Sequence, residues 1–430
     1  MPVSPPTVVS LFSGCGGLDL GFVDAGFEVV YACDNNRAAV ACYAANIGPH
    51  IVQRDVNDPA FLEDLRRVKR CDVVLGGFPC QGFSKAGPKR ANDERNLLYT
   101  KMVAAVRLLR PAVFIAENVD GIQQNFGGAF VDRVREGFTG YRVAFRVLDA
   151  ITFGVPQHRR RAFFVGVRDD VDAELQWPEP THRGRPRNGE SPLPGASAQH
   201  LKPPQTIESA ISDLANIDAD LPDHETTGAW PQRYEHIFKA IGPGQKLCNV
   251  RHSQTSVYTW NIPEAFGETT ALQRDILETI GKHRRHKRYG DIPNGNPIHA
   301  NEIARLMGRE SVLADLETLR ALGFVKIKNG GYDLKGAMFC SGLFKRANWR
   351  EPSATVLTNF HNPRYFLHPL ADRPLTLREC ARLQTFPDSF EFTSTGISLV
   401  EGHRLVGNAV PPRVSSAFAT AVNTLLGTPC

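Results

Sequence analysis

Thr7-Val-Val-Ser-Leu-Phe-Ser-Gly-Cys-Gly-Gly17 begins as a β-branched apolar run and breaks into a glycine-rich turn. Such a run reads as a buried strand, and glycines at 14, 16 and 17 free the backbone to turn sharply and open a helix. Further along, the pattern recurs. Residues 28–33, 71–75, 112–116, 142–148 and 161–167 also read as strands, with helical patterning between several of them. Residues 97–109 are the clearest crossover helix, apolar at helical spacing and stopped by Pro111. Strand then helix, repeated, predicts an α/β class: a doubly wound, mostly parallel, Rossmann-like sheet.

At 430 residues the chain exceeds one ordinary domain. Regular alternation stops after Val167, and residues 177–204 are rich in proline, as in a linker or irregular loop. The expected layout is a catalytic domain over 1–175, an inserted domain over 176–370, and a return to the catalytic domain over 371–430, where residues 375–386 and 411–426 are again helical. Within the insertion, residues 299–308 and 311–322 pattern as helices, and 324–328 and 332–334 as strands about Asn329-Gly330. Residues 297–337 therefore resemble a winged helix, which commonly contacts DNA and equally serves as a packing subdomain.

The net charge of +5 permits a polyanionic partner without demanding one. Residues 282–288, Lys-His-Arg-Arg-His-Lys-Arg, are the densest basic run, followed by Arg159-Arg-Arg161. Nine cysteines without a Cys-x-x-Cys pair speak against zinc, and an odd number with no signal peptide points to free thiols in a reducing cytosol. No apolar stretch approaches bilayer length.

Four clusters carry chemistry. Phe12, Ser13, Gly14, Cys15, Gly16 and Gly17 form a turn whose backbone can approach a ligand, and Asp34, about twenty residues on, can accept ribose hydroxyls. A dinucleotide fingerprint would place a third glycine where Asp19 stands, so S-adenosylmethionine fits better than NAD, with Asp55 placed to accept from an adenine amino group. Residues 76–84, Gly-Gly-Phe-Pro-Cys-Gln-Gly-Phe-Ser, put Cys80 beyond a strand end, after the rigid Pro79. A free cysteine is more often a small buried hydrophobe, but here Gln81 and Ser84 add polar groups suited to a nucleotide. Glu117-Asn118-Val119 brings a carboxylate to the same sheet edge. In Gln157-His-Arg159-Arg-Arg161, alternate residues of an incipient strand would face that site together.

Cysteine, glutamate and paired arginines suit methylation of cytosine at C5, an atom too electron-poor to attack a methyl donor unaided. Addition of the Cys80 thiolate to C6, with Glu117 at N3 and Arg161 at O2, would make C5 nucleophilic. The base that removes the C5 proton is left unassigned. A base inside a duplex is beyond reach of such a site and must be flipped out.

In this order the blocks resemble the DNA cytosine-5 methyltransferases of prokaryotic restriction-modification type. The resemblance extends to residues 373–388 and to Gly407-Asn408-Ala409-Val410-Pro411-Pro412. It implies that Phe12, Gly14, Gly16, Asp34, Asp55, Leu98, Asn408 and Ala409 line the cofactor pocket, with Ser13, Cys15, Gly17, Asn35 and Val56 beside them. It also implies that Cys80, Glu117, Asn118, Arg159 and Arg161 surround the cytosine, with Pro79 near both ligands, and that the insertion is a target-recognition domain. Asp34 stands where glutamate is usual in this family, and Asn35 where an aromatic often sits.

Double-stranded DNA is the expected partner, touched by Gln81 and Ser84 at the catalytic loop and by Lys326 and Lys328 on the wing. A monomer near the nucleoid, paired with a cognate restriction endonuclease, completes the expectation. Two other readings share the scaffold: an inactive DNA-binding regulator, and a methyltransferase acting on tRNA.

Overall fold

The computed structural model describes residues 4–79, 98–184, 200–214, 221–226, 228, 230–249, 253–292, 295–335 and 343–427. It resolves into two compact units. The first comprises Met1–Glu225, Arg350–Asn359 and Thr376–Cys430, the second Thr226–Trp349 and Phe360–Leu375.

The first unit is built on seven strands, β1 (Thr7–Leu11), β2 (Glu28–Asp34), β3 (Ile51–Gln53), β4 (Val73–Gly76), β5 (Val113–Val119), β6 (Tyr141–Asp149) and β7 (Arg160–Arg168), in the order β3-β2-β1-β4-β5-β7-β6. Strands β3 to β5 pair in parallel, and β7 runs antiparallel to both neighbours. The reversal follows from chain length. Only residues 150–159 join β6 to β7, too few for a crossover, so the two must meet as antiparallel neighbours.

Both faces of the sheet are covered, which is why its strands read as near-continuous apolar runs. Val8, Leu75, Ile115 and Phe163 pack with Leu18 and Phe22 of helix α1 (Gly17–Asp24) and with Val414 and Phe418 of the C-terminal helix Pro412–Leu426. Val9, Leu11, Val74, Phe114 and Phe164 turn the other way, toward Phe61, Met102 and Phe130. The expected crossover helix runs Tyr99–Leu109 and ends on Arg110 in the left-handed region, φ 48°, just before Pro111.

Strand order reverses between β1 and β4, and an open α/β sheet presents its ligand crevice at such a switch point. Two segments distant in sequence close that crevice. Arg159 donates to the carbonyls of Val356 (3.1 Å), Gly407 (2.9 Å) and Ala409 (2.7 Å). Gln157 donates to Leu383 O and accepts from Val356 N–H. A Cβ on Gly407 would lie 2.5 Å from Thr358 N, so only glycine admits this approach. Helix Leu399–Asn408, which no sequence pattern announced, carries Asn408 to the crevice rim.

In the second unit, helix Ala271–His283 packs on helices Ala300–Leu306 and Leu313–Ala321 and on the hairpin Val325–Lys328/Gly331–Leu334. Asn329 and Gly330 are both left-handed, φ 49° and 73°, as a two-residue Asn-Gly hairpin turn requires. Ile298 bridges to Tyr332 as a third short strand. Helix, strand, two helices and a wing is winged-helix order. No described helix is long and apolar enough to cross a membrane.

Candidate active site

A cavity of about 1110 Å³ opens along the carboxyl ends of β1, β2, β4 and β5. Phe12, Ser13, Gly14, Cys15, Gly17, Asp34, Asn35, Asp55, Val56, Pro79, Leu98, Asn408 and Ala409 all line it; Gly16 does not. Gly16 instead presses on a neighbouring helix, where a Cβ would fall 2.1 Å from Ile47 Cδ1. Phe12 leaves β1 with φ 54°, a strained conformation for a bulky residue, and strain of this kind concentrates where a chain holds a ligand. The turn is fixed from below. Asp34 accepts from Gly14 N–H at 2.9 Å and from Asn36 N–H at 2.8 Å, which leaves further lone pairs facing the cavity. Asp55 is exposed at the rim.

Glu117 and Arg161 meet in the same cavity, Nε to Oε1 at 2.9 Å. Burial raises the Glu117 carboxyl above its ordinary value, opposed by the charges of Arg161 and Arg159. A buried carboxyl tuned upward keeps its proton to higher pH than an exposed glutamate does, which suits a group that shares a proton with a ligand. A Cβ on Gly77 would come to 3.4 Å from Glu117 Oε2, so the β4 loop passes directly over the acid. Asn118 lines the cavity too, but its amide donates to Phe78 O at 3.0 Å. It thereby fastens the backbone two residues ahead of Cys80.

Arg159 and Arg161 do not share a target, contrary to the alternation expected of them. Strand β7 begins only at Arg160, so Arg159 precedes the regular pleat and turns to the three carbonyls of residues 356, 407 and 409. Its charge still reaches Glu117. Cys80, Gln81 and Ser84 lie outside the described residues. Cys15 lies in the cavity lining, but its buried thiol is pushed up to about 12. Cys33 and Cys71 are likewise pushed up to about 12. A thiol so protonated is no nucleophile.

The C-5 cytosine-specific DNA methylase family matches residues 6–424. The chain belongs to that family. Among its relatives are the type II methyltransferase M.AgeI of Thalassovita gelatinovora, 31% identical over 97% of this chain and 99% of that protein, and M.NgoFVII of Neisseria gonorrhoeae, 31% identical over 95% and 84%. A putative DNA modification methyltransferase from an E. coli prophage shares the fold at a TM-score of 0.55, with 24% identity over 98% of this chain and 99% of that one. The S. pombe Dnmt2 methyltransferase does so at 0.51, with 14% identity over 98% and 99%. The expected restriction-modification family, α/β class and DNA cytosine-5 methyltransferase are borne out.

The methylase also holds a buried group that the sequence marked only as a missing glycine. Asp19, fully buried, accepts from Ser10 Oγ and Tyr43 Oη, each at 2.7 Å, and Ser13 Oγ donates to Ser10 Oγ at 2.9 Å. Burial raises this carboxyl to about 6, against the pull of the two hydroxyls. Below about pH 4 Asp19 is protonated in both the folded and unfolded chain. As pH rises toward 6 the unfolded chain loses that proton while the folded chain keeps it, so stability falls by roughly 3 kcal/mol across the window. Asp19→Asn, whose amide can donate to the same hydroxyls, is expected to flatten that loss. Urea unfolding of both proteins at pH 4 and pH 7 measures it; parallel pH dependences would show that Asp19 ionises normally.

Proposed function

We propose that the methylase transfers a methyl group from S-adenosylmethionine to C5 of a cytosine turned out of duplex DNA, through a transient bond between Cys80 Sγ and ring C6. One observation carries this reading: the Glu117–Arg161 pair shares a single cavity with the glycine turn and with Pro79, the neighbour of Cys80.

The donor set fits a nucleoside-bearing sulfonium. Backbone of Phe12–Cys15 is open to a ligand, Asp34 and Asp55 are acceptors for hydroxyl and amino groups, and Leu98 and Val56 supply apolar wall. When bound there, S-adenosylmethionine supplies an electrophilic methyl. The protein's residues do the rest. The Cys80 thiolate adds to C6 and pushes electrons toward C5, Glu117 hydrogen-bonds or protonates N3 to accept the displaced charge, and Arg161 holds O2. Once C5 carries the methyl, loss of its proton to a base or water expels the thiolate and restores the ring. Arg159 acts here through the segment it anchors, keeping Asn408 and Ala409 at the cavity. A thiolate on one side and a charge-accepting acid on the other are both needed, because a neutral cytosine does not open C5 to attack.

The second unit, in this reading, selects the DNA sequence, and a monomer acts in the cytoplasm alongside a cognate endonuclease. The test is transfer of tritiated methyl from S-adenosylmethionine to unmodified duplex DNA, with tRNA in parallel and bisulfite sequencing of the product. Label on cytosine C5 within one short sequence is the expected result. Label on tRNA alone would reassign the substrate, and DNA binding without label would make the protein a regulator.

A further inference from the structure

We propose that the winged-helix segment grips duplex DNA by its phosphates, using the wing and the turn after helix Ala271–His283, and that helix Leu313–Ala321 does not read bases. The inference rests on the DNA methylation reading above.

Hairpin register supplies the geometry. Lys326 pairs with Asp333 and Lys328 with Gly331, and directly opposed residues of antiparallel strands lie on one face of the sheet. Asp333 is buried and held by Arg284, Nε to Oδ1 at 2.7 Å and Nη2 to Oδ2 at 2.9 Å. Arg284 is therefore not a free cation of the basic run but its anchor: it neutralises Asp333 and draws the 284–288 turn onto the lysine face of the wing. Arg288 is occupied by Glu302, and Lys282 by Glu278. What remains exposed is Arg285, Lys287, Lys326 and Lys328, none with an acidic partner among the described residues. Four unpaired cations around a wing match the spaced negative charge of a nucleic-acid backbone, which positions a protein without specifying sequence.

The helix that usually enters the major groove is furnished differently. Base edges are read by free donors and acceptors on long side chains. On helix Leu313–Ala321, Arg320 Nε is engaged by Glu317 at 2.8 Å, Glu317 also accepts from Tyr332 Oη at 2.6 Å, and Thr318 Oγ1 donates to Ala314 O at 3.0 Å. Asp315 accepts from Gln273. Leu313, Ala314 and Ala321 complete the exposed side. With two acids against one arginine, this helix would be repelled by phosphates lining a groove.

The experiment uses the full chain with Arg285, Lys287, Lys326 and Lys328 all changed to Ala, binding a noncognate duplex over a series of salt concentrations. Each lost phosphate contact removes about 0.9 from the slope of log K against log salt, so a slope shallower by roughly 2 to 4 is expected, with the methylated sequence unchanged. Thr318→Ala and Arg320→Ala are expected to alter neither slope nor target sequence. An unchanged slope in the fourfold variant, or a shifted target sequence in either helix variant, overturns the proposal. Methyl transfer by the parent protein, scored alongside, separates the two levels. An unchanged slope in the fourfold variant, when the parent methylates, refutes the clamp alone, whereas a parent that neither binds nor methylates duplex refutes both.

Discussion

Cys80→Ala is expected to abolish methyl transfer while leaving DNA binding intact. The reaction needs a thiolate at C6 because C5 of cytosine has no nucleophilic character until the ring carries an extra electron pair. None of the thiols or serine hydroxyls lining the described cavity can supply one. Cys15 and Cys33, the thiols that line it, are both held protonated by burial, and Ser10 and Ser13 are hydroxyls spent on Asp19 and on each other. Removing a nucleophile that forms a covalent intermediate costs about four to six orders of magnitude in turnover. Binding should survive, because affinity for DNA comes mainly from phosphate contacts spread over the surface. Single-turnover methyl transfer beside a gel-shift titration measures both. Transfer within tenfold of the parent would place the nucleophile elsewhere, and equal loss of transfer and binding would point to a structural role for residue 80.

The second large effect falls on Glu117. Glu117→Gln keeps the size of the side chain and an oxygen for Arg161, yet it cannot deliver or accept a proton at N3. Loss of an acid acting in the transition state costs about 10²- to 10⁴-fold in rate, with affinity for S-adenosylmethionine unchanged. The pH profile carries the sign. Burial lifts the Glu117 carboxyl, so its protonated form persists to higher pH than an exposed glutamate would allow. Since the protonated form serves N3, the single-turnover rate should fall as pH rises through that lifted value, and the glutamine variant should lack this descending limb. A variant that is slower but keeps the parental profile would assign the titration to another group.

Much of the fold was legible because its signals are local. The β-branched runs, the glycines at 14, 16 and 17, the Asn329-Gly330 turn and the proline stop at 111 each bias a few adjacent dihedrals, and the strands and turns fell where those biases put them. Phe12 to Cys15, Asn35, Asp55 and Pro79, on the cavity wall, were legible for a related reason. They sit on loops leaving strand ends, and a parallel sheet gathers its strand ends at one edge.

The side chains that moved away from expectation all answer to partners far along the chain. Alternation predicted a common target for Arg159 and Arg161, but carbonyls 197 to 250 residues distant claim Arg159. Arg284 looked like one charge in a basic run until Asp333, 49 residues on, buried it. Asp19 looked like a broken glycine motif until Tyr43 and Ser10 enclosed it. By itself the sequence determined the class of fold, the order of its elements and the types of residue at the site, since these depend on backbone preference and short-range pattern. Only the tertiary structure decided which charged groups stay free to meet a ligand, because a buried ion or guanidinium must be paired, and its partner is chosen by whatever the fold brings within hydrogen-bonding distance.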